Sequence, residues 1–263
     1  MNTRYVPSAV IAAESPLSTA ACHRFVEQEG APWLLGDWDD AVFFHYSIAP
    51  ATLQPFVPVE LDRFSGEAFV SLVAFTMRGM RLARGGKCSA WLCRPMREQR
   101  FLNLRTYVRH GAETGIFFLN EWISHWLCAQ LGPPLYGLPY RWRRLNCAAA
   151  PTEGRVEARD GATGFAWRLE RPARLAVCEP ASVDEFLLER YTAFTGRGST
   201  RRFFRIWHAP WPQARVEVVR LDETLPASAA PWWPDARFLQ AHHSPGARDI
   251  WMGRPKSLQK IRS

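Results

Sequence analysis

The chain has 263 residues and a net charge of +8, with 47% hydrophobic and 22% charged residues. These fractions are typical of a folded globular protein and exclude general disorder. All but three of the 33 basic residues (Lys87, Lys256 and Lys260) are arginines, scattered without a basic stripe, so we expect no nucleic-acid binding. No stretch reaches the roughly 20 apolar residues of a membrane span, and the first residues do not resemble a signal peptide. We therefore expect a cytoplasmic protein without a membrane partner.

The sequence contains no recognisable metal, nucleotide or hydrolase motif. The six cysteines include no CxxC pair and are expected to be reduced thiols. His242 and His243 are adjacent, so on a strand they face opposite sides and cannot both bind one metal ion. We therefore predict neither a metal nor a cofactor.

Most of the chain has the pattern of β-strands. We predict an N-terminal arm over residues 1–30, a single domain over 31–255 and a tail over 256–263. Runs rich in aromatic and β-branched residues predict strands at 41–48, 68–77, 101–109, 115–119, 202–208, 214–221 and 237–242, with a hairpin within 152–170. The expected fold class is α+β, with a mainly antiparallel sheet rolled into a β-barrel-like domain and a few flanking helices.

Two helices and one long loop are expected between these strands. Asn120 is placed to cap a helix that carries Trp122 to Leu131 and ends at Gly132-Pro133-Pro134. Ser182 and Glu185 fit a capping box that opens a second helix. Residues 79–97, with Gly85-Gly86 and several arginines, are expected to form a long loop.

The strand at 101–109 mixes polar and apolar residues with a period of two. Leu102, Leu104, Thr106 and Val108 fall on one face, and Phe101, Asn103, Arg105, Tyr107 and Arg109 on the other. If the second face meets solvent, this is an ordinary amphipathic strand. If it faces a barrel lumen, Arg105 suits a carboxylate, and Asn103 and Tyr107 supply orienting hydrogen bonds.

A second candidate is the segment 135–142, Leu-Tyr-Gly-Leu-Pro-Tyr-Arg-Trp. Gly137 and Pro139 fix the backbone immediately before Tyr140 and Arg141. The segment is either a structural helix-to-strand turn with aromatic packing or a rigid turn that presents Tyr140 to a pocket.

These motifs resemble the YqjF-like family of uncharacterised bacterial proteins over about residues 36 to 255. The resemblance is carried by FFHY and FSGEAFVSLVAFTMRGMR within 43–81, NLRTYVR at 103–109, YGLPY at 136–140, FLLERY at 186–191, HAPWP at 208–212 and HHSPG at 242–246. The family is similar to the acetoacetate decarboxylase superfamily. The resemblance implies a β-barrel-like domain with an enclosed cavity.

This chain departs from that superfamily at the catalytic position. In acetoacetate decarboxylases the matching segment carries a Pro-Lys-Lys run whose first lysine forms a Schiff base, whereas here the matched residues are Tyr140 and Arg141. Neither side chain supplies the primary amine that an imine requires, so we do not expect Schiff-base decarboxylation. Many YqjF-like proteins also have Glu where this chain has Phe101.

The other polar residues of the shared motifs complete the candidate site. They are Asn103, Arg105, Tyr107, Glu189, Arg190 and His208. A buried ion pair between Glu189 and Arg105 is an alternative, structural explanation of those two residues.

Three functions fit these residues. The first is an enzyme acting on a small oxo acid or related carbonyl metabolite, with Tyr140 as the catalytic proton donor and with Arg105 and the other candidates, including Arg141, binding the ligand. The second is a non-catalytic small-molecule binder that uses the same groups. The third is a partner-binding or self-associating protein, suggested by exposed-looking tryptophans such as Trp232-Trp233.

Overall fold

The computed structural model describes residues 15–84, 91, 93–147, 152–158, 161–171, 174–197 and 200–258. Helices α1 to α5 cover Pro16–Glu29, Pro50–Leu53, Trp126–Tyr136, Val183–Leu188 and Thr224–Ala229, and 3₁₀ turns cover Gln54–Phe56, Arg94–Met96 and Trp233–Asp235. Strands β1 to β15 cover Leu34–Ile48, Glu60–Leu61, Ala68–Leu82, Glu98–His110, Glu113–Ile123, Tyr140–Trp142, Arg144–Cys147, Glu153–Glu157, Gly164–Leu169, Thr192–Arg197, Thr200–Trp207, Ala214–Val216, Val218–Asp222, Arg237–Met252 and Lys256–Ser257.

The main sheet is a ring. Its strands follow the order β12-β14-β1-β3-β4-β5-β10-β11-β15, with β2 paired to β4 and β6 paired to β5. A further pairing between β11 and β14 brings the sheet back to its own start. Only the pairs β5–β10 and β5–β6 are parallel among the described strands. A separate antiparallel sheet of β13, β9, β8 and β7 covers part of the ring. The predicted α+β class, mainly antiparallel, is confirmed.

The two faces of β4 enter two different hydrophobic clusters, as its period of two predicts. Leu102 and Leu104 pack in a cluster that includes residues of the four-stranded sheet. Phe101 and Tyr107 pack in the other, on the opposite side of the strand. The polar face of β4 is buried except at its end, where Arg109 is exposed. The alternative of a solvent-facing amphipathic strand is therefore wrong.

The helix predicted to begin at Asn120 is wrong in its boundaries. Residues 120–123 instead complete β5. This strand pairs with β4 along its whole length, with one register shift between Leu104 and Arg105 that is typical of a β-bulge. The helix α3 begins at Trp126 and passes through Pro133 and Pro134 to end at Gly137, whose φ of +75° closes the last turn. The two prolines fall in that last turn, where their missing N–H groups leave the oxygens of Ala129 and Gln130 without the usual helical donors.

The predicted N-cap at Ser182 is confirmed, but the reciprocal bond of a capping box is replaced, because the Glu185 carboxylate accepts from the Ala181 amide at 2.7 Å. The Ser182 hydroxyl accepts a hydrogen bond from the Glu185 amide at 3.1 Å. However, α4 ends at Leu188, and the helical spacing of Phe186, Leu187, Tyr191 and Phe194, which predicts a longer helix, is misleading: Tyr191 leads into β10 and Phe194 lies in it. The predicted hairpin is confirmed as the pair β8–β9. The predicted loop at 79–97 is shorter than expected, because β3 continues to Leu82 and β4 begins at Glu98; residues 85–90 and 92 lie outside the described residues.

The tryptophan pair that suggested an exposed surface is buried. Trp232 and Trp233 pack in the cluster beneath the four-stranded sheet. In the first 30 residues, the described helix α1 lies against the ring through Phe25, whose ring contacts Trp251 edge-on at 5.4 Å. Within the described chain, no helix is long and apolar enough to cross a membrane.

Candidate functional site

A pocket of about 320 Å³ opens at one end of the ring. Apolar side chains from β1, β3, β4, α3 and β11 form most of its wall, notably Trp33, Trp38, Phe75, Phe101, Met77, Met96, Leu131, Leu135 and Phe204. Strand β3 supplies Phe75 and Met77 because alternate residues of a strand point to the same side. A wall of this composition favours a small molecule with an apolar body.

Three polar side chains meet at one place in this apolar wall. Asn103 on β4 pairs with Glu121 on β5, and Glu121 pairs with Tyr140 on β6. All three residues line the pocket. Because directly paired residues of neighbouring strands hold their side chains next to each other, the three form one polar row across three strands.

Burial favours the protonated forms of Glu121 and Tyr140, the two acidic side chains of this row. It raises the pKa of Glu121 well above its ordinary value, and the nearby positive charge of Arg105 opposes this shift without cancelling it. Burial, together with Glu121, also raises the pKa of Tyr140 well above its ordinary value. Both shifts favour the protonated forms, in which Glu121 and Tyr140 each carry an O–H group able to donate a hydrogen bond.

Two atoms of the row have no hydrogen-bond partner within the described protein. They are Oδ1 of Asn103 and Oε2 of Glu121, both buried. Leaving such atoms unpaired costs about 1–3 kcal/mol each, and folded proteins keep few of them. An unpaired row at the wall of a pocket is the arrangement expected where a ligand supplies the missing partners.

Arg105 and Tyr107 lie on the same face of β4 but outside the pocket wall. The Arg105 guanidinium donates to the backbone oxygen of Leu187 at 3.3 Å. The Tyr107 hydroxyl donates to the same oxygen at 2.8 Å and lies 2.7 Å from the Ser71 hydroxyl. Ser71 in turn lies 2.7 Å from Nδ1 of His45. The structure therefore places Tyr107 in a buried protein network, with Arg105 between that network and Glu121.

Glu189 is satisfied by groups other than Arg105. Its carboxylate accepts hydrogen bonds from the Tyr191 hydroxyl at 2.5 Å and from the Trp211 amide at 2.9 Å. Burial raises its pKa to about 7. The ion pair between Glu189 and Arg105, the alternative explanation of these two residues, is not formed among the described residues, because the helix ends at Leu188 and Glu189 bonds to Tyr191 and Trp211.

Arg190 and His208 are likewise held by protein groups. Arg190 donates to Asp62 at 2.7 Å and forms a buried ion pair with it. Nδ1 of His208 lies 2.8 Å from the Ala209 oxygen, and its ring packs between Tyr191 and Trp211. Burial lowers the pKa of His208 to about 4, so the ring is neutral near pH 7.

Arg141 is on the other side of β6 from Tyr140. It lines a second, more open pocket together with Arg143 and Trp122, between the ring and the four-stranded sheet. The alternation of side chains along β6 explains the separation. Of the candidates predicted from sequence, the structure brings only Asn103 and Tyr140 together at the first pocket.

Glu121 was not among the predicted site residues, because residues 120–131 were assigned to a helix. The signal was present, since the apolar run from Gly115 to Leu119 continues through Trp122 and Ile123 without a strand breaker. The row also contains no lysine. Within the described residues only Lys256 is a lysine, and its ammonium group donates to Glu29 at 2.6 Å, away from the pocket.

The described residues contain no group of three histidine, cysteine or acidic side chains that would hold a metal ion. His242 and His243 occupy consecutive positions of β14, as the adjacency argument required. The His242 ring contacts His45 edge-on at 5.2 Å and lies 3.4 Å from a carboxylate oxygen of Asp184.

Comparison with known proteins supports the resemblance found in the sequence. Over 195 residues the chain is 27% identical to the uncharacterized protein YqjF of Bacillus subtilis (strain 168), covering 71% of this chain and 77% of that protein. The fold is similar to that of acetoacetate decarboxylase from Legionella pneumophila, with a TM-score of 0.58, 12% identity and coverage of 87% of this chain and 88% of that one.

A second structure with a similar fold is the enduracididine biosynthesis enzyme MppR complexed with pyruvate. It gives a TM-score of 0.55 at 12% identity and covers 86% of this chain and 90% of that one. At these identities the two structures establish the fold. Residues 36–248, which are most of the chain, match one family along their whole length, and the protein therefore belongs to the uncharacterized conserved family DUF2071.

Proposed function

We propose that the pocket binds a small carbonyl compound with an apolar body, such as an oxo acid. The observation that carries this proposal is the row of Asn103, Glu121 and Tyr140, two of whose buried atoms have no partner, in an otherwise apolar wall. Two neutral O–H groups match the two lone pairs of a carbonyl oxygen. The Oδ1 atom of Asn103 suits a hydroxyl, enol or N–H group on the same ligand.

The same row supports proton transfer to a bound carbonyl. Tyr140 and protonated Glu121 would stabilise negative charge that develops on the oxygen, as hydrogen-bond donors do in other enzymes. Arg105 would act as a positioning residue, because its charge limits how far burial raises the pKa of Glu121. Tyr140 occupies the position matched to the Schiff-base lysine of acetoacetate decarboxylases, so the proposed chemistry proceeds without a covalent intermediate.

The fold neighbours support the ligand class. One is an acetoacetate decarboxylase, and another is an enzyme seen complexed with pyruvate. Acetoacetate and pyruvate are both oxo acids. We carry over only that class of ligand, since the residues of the row differ from a lysine site.

A non-catalytic binder is the second candidate. The observation that favours it is that burial raises the pKa of Glu121 and of Tyr140, because the protonated forms this favours can orient a ligand by hydrogen bonds alone. Mass spectrometry of a ligand recovered after incubation separates the two candidates. Conversion that is lost in Glu121→Gln supports the enzyme, whereas saturable binding with unchanged ligand supports the binder.

The binding proposal is tested by a thermal-shift screen. The panel contains 2-oxo acids, 3-oxo acids and neutral ketones of increasing chain length, since a ligand that binds only the native state raises its stability. We expect the largest shift from compounds with an apolar chain, and a loss of that shift in Glu121→Gln. The exposed Glu67 gives the matched control Glu67→Gln.

Arg105→Met distinguishes the two ligand types in the same screen. If the acids lose their shift while the ketones keep it, Arg105 contacts a carboxylate. If no carbonyl compound shifts the wild type, or if Glu67→Gln loses the shift as Glu121→Gln does, the proposal is wrong.

A further inference from the structure

Helix α3 is an uncharged helix on the surface of the protein. Its eleven residues, from Trp126 to Tyr136, contain no charged side chain. Cys128 and Ala129 face the core, yet Trp126 is 61% exposed and Leu135 is 48% exposed. Apart from the exposed Gln130, the surface of this helix is apolar, and a contiguous exposed apolar face indicates a surface that meets something other than water.

The exposed face of α3 is continuous with the mouth of the first pocket. Leu131 and Leu135 belong to both, being exposed and lining the pocket. Trp33 lies beside them and stacks on Tyr136, the last residue of the helix, at 5.6 Å. The apolar wall of the pocket therefore continues outward onto the surface without a polar rim on this side.

Arginines border this apolar face. The Arg202 guanidinium donates to the backbone oxygens of Pro134 and Leu135 at 3.0 and 3.1 Å. Arg254 lies over the ring of Trp33 at 5.8 Å. Arg94 is exposed in the 3₁₀ turn that also supplies the pocket residue Met96.

These arginines are not neutralised by the protein. Across the described residues, neither Arg94 nor Arg254 has a carboxylate within 4.0 Å. Glu98 and Glu29, carboxylates of neighbouring segments, are already paired with other basic side chains. The border therefore presents free positive charge around an apolar centre.

We propose that this face, formed by α3 with Arg94, Arg202 and Arg254, docks on the surface of a membrane that contains anionic lipid. Exposed Trp and Leu on a short helix enter the boundary between headgroups and acyl chains, while arginines bind the anionic headgroups. The helix lies flat on the membrane, since eleven residues span only about 16 Å. The expectation of no membrane partner depended on span length alone, which does not test surface attachment.

The charge on the border favours a membrane over a second copy of the chain. In a twofold contact, each arginine of the border would meet the same border of the other copy, in a protein with a net charge of +8. An anionic lipid surface is complementary to that charge. If the pocket binds a carbonyl compound as proposed, docking would let a lipophilic ligand pass directly from the bilayer into the pocket.

Vesicle sedimentation of the full chain tests the proposal. We expect the wild type to bind phosphatidylcholine vesicles containing one fifth phosphatidylglycerol and to bind pure phosphatidylcholine weakly. Trp126→Ser/Leu127→Gln should reduce binding by about tenfold or more, through lost apolar insertion. Arg94→Gln/Arg254→Gln should reduce it about 25-fold, at about fivefold for each arginine.

Matched controls lie elsewhere on the protein. Phe238 and Leu239 are an exposed aromatic-leucine pair at the far end of β14 from the pocket residue Met252, and Phe238→Ser/Leu239→Gln should bind vesicles as the wild type does. Arg168→Gln/Arg220→Gln, on the four-stranded sheet, is the control for charge and should lose less than twofold of the binding.

The test of membrane docking can fail or succeed independently of the test of ligand binding in the pocket. Neither Trp126 nor Leu127 lines the pocket, so their double variant should keep the thermal shift produced by a soluble ketone. Equal binding to neutral and anionic vesicles, or unchanged binding by the variants, would overturn the proposal. Light scattering tests the alternative occupant. If the wild type is a dimer, the Trp126→Ser/Leu127→Gln variant is a monomer, and the wild type does not bind vesicles, then this face is an interface between two copies of the chain.

Discussion

Two buried polar regions of the ring are built differently. In one, Arg190 donates to Asp62 at 2.7 Å and to the Phe186 oxygen at 2.6 Å, so the charges are paired within the protein. In the other, Asn103 and Glu121 present buried atoms without a partner at the wall of a pocket. The first arrangement stabilises the fold by itself, whereas the second is completed by something the chain does not contain. Substitutions should therefore separate stability from binding.

The largest loss of stability is expected where the paired region is broken. Asp62→Ala leaves the Arg190 guanidinium buried without its carboxylate, which typically costs about 3–5 kcal/mol. Urea unfolding of the purified variant measures this cost. The exposed pair of Arg155 and Glu157 provides the control, because Glu157→Ala should cost less than about 1 kcal/mol. Equal costs at the two pairs would contradict the distinction.

The next largest effect is on pH dependence, through Glu189. Burial raises its pKa in the folded protein from an ordinary 4.5 to about 7. As pH rises above 4.5 the unfolded chain releases this proton first, so stability falls between pH 4.5 and 7, by at most about 3 kcal/mol. The raised pKa of Glu121 acts in the same direction.

Urea unfolding across pH 4.5 to 8 tests this expectation. Glu189→Gln should show a shallower decline than the wild type, whereas the exposed-site variant Glu67→Gln should follow the wild-type curve. Parallel curves for wild type and Glu189→Gln would show that Glu189 titrates normally.

A gain in stability is expected when an unpaired polar atom is removed from the row of Asn103, Glu121 and Tyr140. Asn103→Leu removes a buried oxygen without a partner and should raise the free energy of unfolding by about 1 kcal/mol, while abolishing the thermal shift from a carbonyl ligand. Thr106 on the same strand offers the opposite case, because its hydroxyl donates to the Phe69 oxygen at 2.7 Å. Thr106→Val should therefore lose about 1 kcal/mol of stability and still show the thermal shift from the carbonyl ligand. A loss of stability in both variants would mean that Asn103 is structural.

The fold was predictable from sequence because it depends on patterns that are local. The period of two in 101–109 correctly separated Leu102 and Leu104 from Phe101 and Tyr107, which enter different clusters. The Ser182 cap and the β8–β9 hairpin were also local signals. The boundaries were less predictable, because the pairing of β5 with β4 overrides the capping preference of Asn120.

The site was less predictable because it depends on strand register. Asn103 and Tyr140 were identified by pattern, but their connection runs through Glu121, which pairs with both. An ion pair between Glu189 and Arg105 was one explanation open at the sequence level, whereas the end of the helix at Leu188 leaves Glu189 bonded to Tyr191. Which polar residues share a pocket is a property of the assembled sheet, and no local pattern contains it.

The smallest expected change in stability is at Tyr140. Tyr140→Phe keeps the ring that packs against Phe101 and removes only the hydroxyl group of a residue that lines the pocket, so stability should change by about 0.5 kcal/mol or less. Affinity for a carbonyl ligand should fall by about five- to tenfold, the usual worth of one hydrogen bond.

Tyr136 provides the matched comparison for this last variant. It lines the same pocket, but its hydroxyl donates to the Gly253 oxygen at 3.3 Å. Tyr136→Phe should therefore lose about 1 kcal/mol of stability and keep its affinity for the ligand. Isothermal titration with the best ketone from the screen, beside urea unfolding of both variants, measures the two effects separately. If both variants lose affinity equally, the ligand responds to packing of the pocket wall, and Tyr140 has no special role as a donor.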